Sequence, residues 1–100
     1  MVEQDNGLAG PERWEVYFEG HVQGVGFRYT TRHIAAGFVV SGYVKNLPDG
    51  RVLLVIEGMP EEMDRLLEAI QKAMGRYIRR SIRHQSPATG EFRGFEIRFS

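Results

Sequence analysis

Gly20, Gly24 and Gly26, followed by Arg28, form the first stretch of this 100-residue chain whose residue types could do chemistry. They lie between a β-rich run and the start of a helical stripe, where unpaired backbone N–H groups converge and the helix macrodipole favours an anion. Glycine lets those N–H groups approach an oxyanion with no Cβ in the way. A guanidinium in the first helical turn can grip two phosphate oxygens at once and stays charged at physiological pH. The dinucleotide fingerprint would need a further glycine at Tyr29, and a Walker A loop would need a Gly-Lys-Ser/Thr ending; neither is present. The pattern therefore indicates an anion site without naming the anion, and a plain glycine-rich connection with a surface arginine reads it equally well. Asn46, just before Leu-Pro-Asp-Gly50, is simplest as a residue that opens a turn and satisfies local backbone groups.

The elements that must position these residues follow from hydrophobic period. Trp14, Val16 and Phe18 share one face of an extended run over residues 14–19. Phe27, Thr31, Ile34, Ala35 and Phe38 recur at helical spacing. Residues 39–47 are again β-rich, Leu47-Pro-Asp-Gly50 is a tight turn, and residues 51–57 supply its hairpin partner. Pro60, Glu61 and Glu62 suit a helix start, and Met63, Leu66, Leu67, Ile70 and Met74 form the clearest apolar stripe in the chain, with Gly75 as its cap. Residues 77–84 read as a fourth strand and 95–99 as a short terminal one. The order strand, helix, strand, strand, helix, strand predicts an α+β, βαββαβ sandwich with two helices on one face of a mostly antiparallel sheet. Residues 1–12 are polar and aperiodic and are expected to form a mobile tail before a single domain over 13–100.

Composition removes several classes of function. Lys plus Arg and Asp plus Glu both number 13, so no global charge draws in nucleic acid or an anionic membrane, and any anion recognition must be local. With no cysteine there is no disulfide scaffold, thiolate metal site or cysteine nucleophile, which suits a reducing cytosol. No stretch approaches the roughly 20 apolar residues that span a bilayer. His21, His33 and His84 lie far apart without acidic or thiol companions, so no metal site is expected. Arg76, Arg79, Arg80 and Arg83 make a basic run, read as the solvated side of a strand paired with nearby acids or as an electropositive patch for acidic ligands. Arg93-Gly-Phe95 superficially resembles part of an RNA-binding motif, but that motif needs further aromatics and belongs on the third strand, whereas this string falls at the carboxyl end and residues 51–57 offer no aromatic platform for bases.

The string Gly20-His-Val-Gln-Gly-Val-Gly-Phe-Arg28 resembles the signature loop of the acylphosphatase family. Gly42-Tyr-Val-Lys-Asn-Leu-Pro-Asp-Gly-Arg-Val52 resembles that family's hairpin, and Gly90-Glu-Phe-Arg-Gly-Phe-Glu-Ile97 its closing segment. The resemblance implies a ferredoxin-like, acylphosphatase-like sandwich and a cytoplasmic, cofactor-free and metal-independent hydrolase. It splits a small-molecule acyl phosphate into a carboxylate and inorganic phosphate. By the same resemblance Arg28 and the loop of Gly20, His21, Val22, Gln23, Gly24, Val25, Gly26 and Phe27 hold the phosphoryl group, while Asn46 orients the attacking water. A monomer with no nucleic-acid or membrane partner is expected. The alternative is a non-catalytic, phosphate-binding or regulatory module on the same fold. Two departures from the family pattern stand out. Residues 74–84 replace a Pro- and Gly-containing link into a valine-rich strand, and Val39 stands where a glycine often ends the first helix, so that helix is expected to stop sooner or end differently.

So small a set of groups suffices for this chemistry. The leaving carboxylate has a conjugate acid of pKa roughly 4, so it departs without a general acid. Positioning and charge stabilisation carry most of phosphoryl transfer. An alkyl phosphate, whose alkoxide must be protonated, should react far more slowly at such a site.

Overall fold

The computed structural model describes residues 10–99. In its first strand, β1 (Glu12–Gly20), Trp14, Val16 and Phe18 are buried and the residues between them are not, which is the period-2 pattern of the sequence. Glu12 already pairs with Gly58 and Pro87, so the sheet starts one residue before the boundary expected at 13. Residues 1–9 of the expected tail lie outside the described residues.

Helix α1 (Phe27–Ala35) is shorter than the stripe running to Phe38 suggests. Past Ala35 the chain tightens, with the Gly37 N–H donating to the Ile34 carbonyl and the Phe38 N–H to the Ala35 carbonyl, each at 3.0 Å. The next N–H, that of Val39, donates to the Glu62 carboxylate at 2.7 Å, so an acid from the second helix serves the chain where it leaves the first.

Strands β2 (Val40–Asn46) and β3 (Val52–Gly58) form the predicted hairpin. Its turn is closed by the Gly50 N–H on the Leu47 carbonyl at 3.1 Å and the Leu47 N–H on the Arg51 carbonyl at 2.8 Å. Helix α2 (Pro60–Met74) begins with Pro60, Glu61 and Glu62 and buries Met63, Leu66, Ile70 and Met74. Gly75 caps it in a right-handed conformation and opens a 3₁₀ turn (Gly75–Tyr77). The strand expected over 77–84 therefore starts one residue later and runs three residues further, as β4 (Ile78–Pro87). The last strand is β5 (Phe95–Arg98).

The five strands lie in the order β4-β1-β3-β2-β5, all neighbours antiparallel except β5, which runs parallel to β2. Both helices bury their apolar stripes with Trp14, Val16, Phe18, Val44, Val52, Leu54 and Ile56 in one core, giving the two-layer α+β arrangement.

The connection from β4 to β5 leads from one edge of the sheet to the other and is held at Glu57 on the middle strand. The Glu57 carboxylate, only 5% exposed, accepts from the Thr89 N–H at 3.0 Å, the Thr89 hydroxyl at 2.8 Å and the Gly90 N–H at 2.9 Å, with Arg13 at 3.4 Å. From there β5 runs alongside β2 toward the end of the sheet at which β2 finishes in Asn46.

Candidate active site

The glycine-rich loop begins where β1 meets β4 at a shift of register between Glu19 and Gly20. A Cβ on Gly20 would stand 2.4 Å from the Tyr77 carbonyl oxygen and 2.7 Å from the Arg79 nitrogen, so a side chain there would push the two strands apart. The His21 N–H then donates to the same Tyr77 carbonyl at 2.9 Å, which fixes the start of the loop. The loop ends on Gly26, whose φ of +79° makes it a left-handed N-cap for α1; Gly24 has almost the same φ, +80°. No side chain caps this helix and no acid stands in its first turn, so its first N–H groups and the positive end of its dipole are left to an outside acceptor.

What this geometry brings together is a cleft of about 110 Å³ lined by Val22, Gly24, Gly26, Phe27, Arg28, Tyr29 and Asn46. Arg28 arrives from the first turn of α1 and Asn46 from the last position of β2. The two walls are tied by Gln23, whose side-chain amide donates to the Leu47 carbonyl at 2.8 Å and the Arg51 carbonyl at 2.9 Å. One residue of the loop thus sets the distance between the loop and the hairpin that ends β2. Phe27 turns its ring onto Phe18, with centroids 5.1 Å apart, and anchors the helix start in the core.

The eight loop residues expected at the phosphate divide accordingly. Val22, Gly24, Gly26 and Phe27 line the cleft, whereas Gly20, His21, Gln23 and Val25 do not. Val25 packs against the core, and Gln23 is spent on the hairpin. Two residues near the cleft were not singled out from sequence. Tyr29 is part of its lining, and its place between Arg28 and the Phe27/Thr31 stripe, off the buried side of the helix, is a signal that could have found it. The Phe99 ring centre lies 4.9 Å from the Arg28 guanidinium carbon. Nothing local marks Phe99, because its position depends on β5 running parallel to β2.

The lining contains a guanidinium, an amide, the Tyr29 phenol and backbone N–H groups, and neither a carboxylate nor an imidazole. Among the described residues no group of three or more His, Cys, Asp or Glu could hold a metal ion. Such a cleft can bind and polarise a tetrahedral anion and hold a water, and the carboxyl or imidazole that most often protonates a basic leaving group is missing from its lining.

The sequence profile of the Acylphosphatase family matches residues 14–97. The chain belongs to the acylphosphatase family. It is 42% identical over 101 residues to an acylphosphatase of Nocardia farcinica, covering 98% of this chain and 100% of that one. It is 38% identical over 85 residues to an acylphosphatase of Archaeoglobus fulgidus, covering 85% and 96%. Its fold superposes on the crystal structure of the acylphosphatase from Bacillus subtilis with a TM-score of 0.78 at 27% identity, covering 87% of this chain and 98% of the other. The resemblance carried by the loop, hairpin and closing segment is thus a family relationship spanning the domain, and the ferredoxin-like sandwich belongs to it. No helix among the described residues is long and apolar enough to cross a membrane.

Proposed function

We propose that Arg28 and the amides at the start of α1 hold the phosphoryl group of an acyl phosphate while the Asn46 side chain holds the water that attacks it. The reaction class comes with the family: the enzyme hydrolyses acyl phosphates, taking a small-molecule acyl phosphate and releasing inorganic phosphate. The roles of the residues are our reading, and the observation that supports it is that Arg28 and Asn46, from different elements, line one cleft with Gly24 and Gly26.

In that reading the guanidinium binds two phosphoryl oxygens side by side, and backbone N–H groups at the helix start take further negative charge. The Asn46 amide offers an acceptor to a water O–H and fixes the oxygen in line with the bond to be broken. The water oxygen forms a bond to phosphorus as the bond from phosphorus to the acyl oxygen breaks, and the electron pair of that bond leaves on the carboxylate. The water's proton ends on the released phosphate. Because the carboxylate is a weak base, no acid is needed, which matches a cleft without carboxylate or imidazole.

Benzoyl phosphate assayed alongside an alkyl monoester tests the reading. Turnover of the acyl substrate only, lost in Arg28→Ala together with inhibition by inorganic phosphate, is the expected result. Phosphate binding without turnover in the unaltered protein would instead indicate a binding module, and full activity in Arg28→Ala would remove Arg28 from the site.

A further inference from the structure

Four large apolar side chains are exposed among the described residues; one, Tyr29, lines the cleft that holds Arg28, and another, Phe99, lies against the Arg28 guanidinium. Tyr29 is 54% exposed and lines it; Phe99 is 72% exposed and lies against the Arg28 guanidinium. Neither ring contributes to the core, whose helical stripe runs through Phe27, Thr31 and Ala35. Tyr29 is also braced: the Arg32 guanidinium sits over its ring, 5.5 Å from the centroid, and covers one face. A guanidinium is planar, and one stacked on a ring keeps the N–H groups in its plane for oxygens of a phosphate.

The geometry points to an acyl-group site on these two rings, so that the enzyme discriminates among acyl phosphates by the apolar, aryl-sized part of the molecule. This rests on the reading of Arg28 as the phosphoryl ligand. A phosphoryl group held by Arg28 and the α1 amides leaves the acyl end pointing out of a cleft too small to enclose it, where Tyr29 is part of the lining and the Phe99 ring lies against Arg28. A flat apolar acyl group gains contact area and ring stacking there, whereas a methyl group reaches little of either. Tyr29 is thereby a specificity-determining residue, with Arg32 holding its ring in place.

The test compares kcat/KM for benzoyl phosphate and acetyl phosphate, whose leaving carboxylates have similar basicity, so their ratio reports contacts of the acyl group. The unaltered enzyme should favour benzoyl phosphate. In Tyr29→Ala the ratio should fall about fivefold, the size of one aromatic contact, with the loss appearing in KM for benzoyl phosphate. Tyr29→Phe should keep the ratio, and so should Val39→Ala, an exposed apolar residue outside the cleft lining. Tyr29→Leu serves as the second variant, and circular dichroism shows that each variant folds. No preference in the unaltered enzyme, or equal loss on both substrates in Tyr29→Ala and Tyr29→Leu, overturns the acyl site. Full activity of Arg28→Ala on acetyl phosphate overturns the phosphoryl reading beneath it, so the two failures are told apart.

Discussion

Arg28 and Asn46 share a cleft but were legible in the sequence on different grounds. A guanidinium one residue past a glycine-rich strand-to-helix loop is a candidate anion ligand on local physics alone, because the loop amides and the helix dipole converge on that spot. Asn46 has an ordinary local explanation as the residue before a tight turn, and only the family resemblance distinguished it. The fold supplies what the local pattern lacks, since Gln23 ties the loop to the hairpin and brings Asn46 beside Gly24, Gly26 and Arg28. If Asn46 positions water and leaves the phosphate to Arg28, its loss should appear in the chemical step. Asn46→Ala is expected to lower kcat for benzoyl phosphate about 10²-fold, with inhibition by inorganic phosphate nearly unchanged. Steady-state kinetics with phosphate as inhibitor checks this, and a variant with undiminished kcat would exclude Asn46 from the reaction.

Among the elements, the β4–β5 connection was the least legible, because it has no hydrophobic period and its anchor is a single buried acid on another strand. On β3, Glu57 alternates with Ile56 and Val55 in a run that reads only as a hairpin partner. Its contacts with Thr89 and Gly90 exist only once the chain has crossed the sheet. Burial raises the carboxyl pKa of Glu57, but the Thr89 and Gly90 N–H groups, the Thr89 hydroxyl and Arg13 outweigh it and hold the group below its ordinary 4.5. A folded pKa lower than the unfolded one means that the ionised latch adds its stability above about pH 4.5 and loses it as pH falls through the folded value. Glu57→Gln should therefore cost about 1–3 kcal/mol near neutrality and flatten the acid limb of the stability curve. Thermal unfolding of both proteins across the acidic range checks it. Parallel pH slopes would show that another carboxylate carries the acid sensitivity.

At the scale of the whole molecule, the order of elements and the face that the helices cover could be read from apolar periods, because burial against one core is what those periods record. The position of β5 could not, since four residues carry too little pattern to fix an edge or a direction. The length of β4 was also underestimated, because its residues are polar and its pairing with β1 is decided by the partner strand. Among the described residues that strand pairs only with β1, so its ten residues form an edge of the sheet, a template for pairing with another chain. Arg79, Arg80 and Arg83 of the basic run lie along it, and Arg76 stands in the 3₁₀ turn before it. Arg80 reaches Glu19 at 3.3 Å, and Arg83 reaches Asp64 at 3.4 Å while lying over the Trp14 ring; Arg79 has no acidic partner among the described residues. Exposed ion pairs of this kind add little stability. Their stronger effect is on association, because a second copy approaching the same edge would bring like charges face to face. The enzyme is therefore expected to be monomeric by light scattering. Arg79→Val combined with Arg80→Val should add a β-branched, uncharged stretch to the edge and produce species whose mass rises with concentration. A double variant that stays monomeric throughout would show that something other than these arginines keeps the edge unpaired.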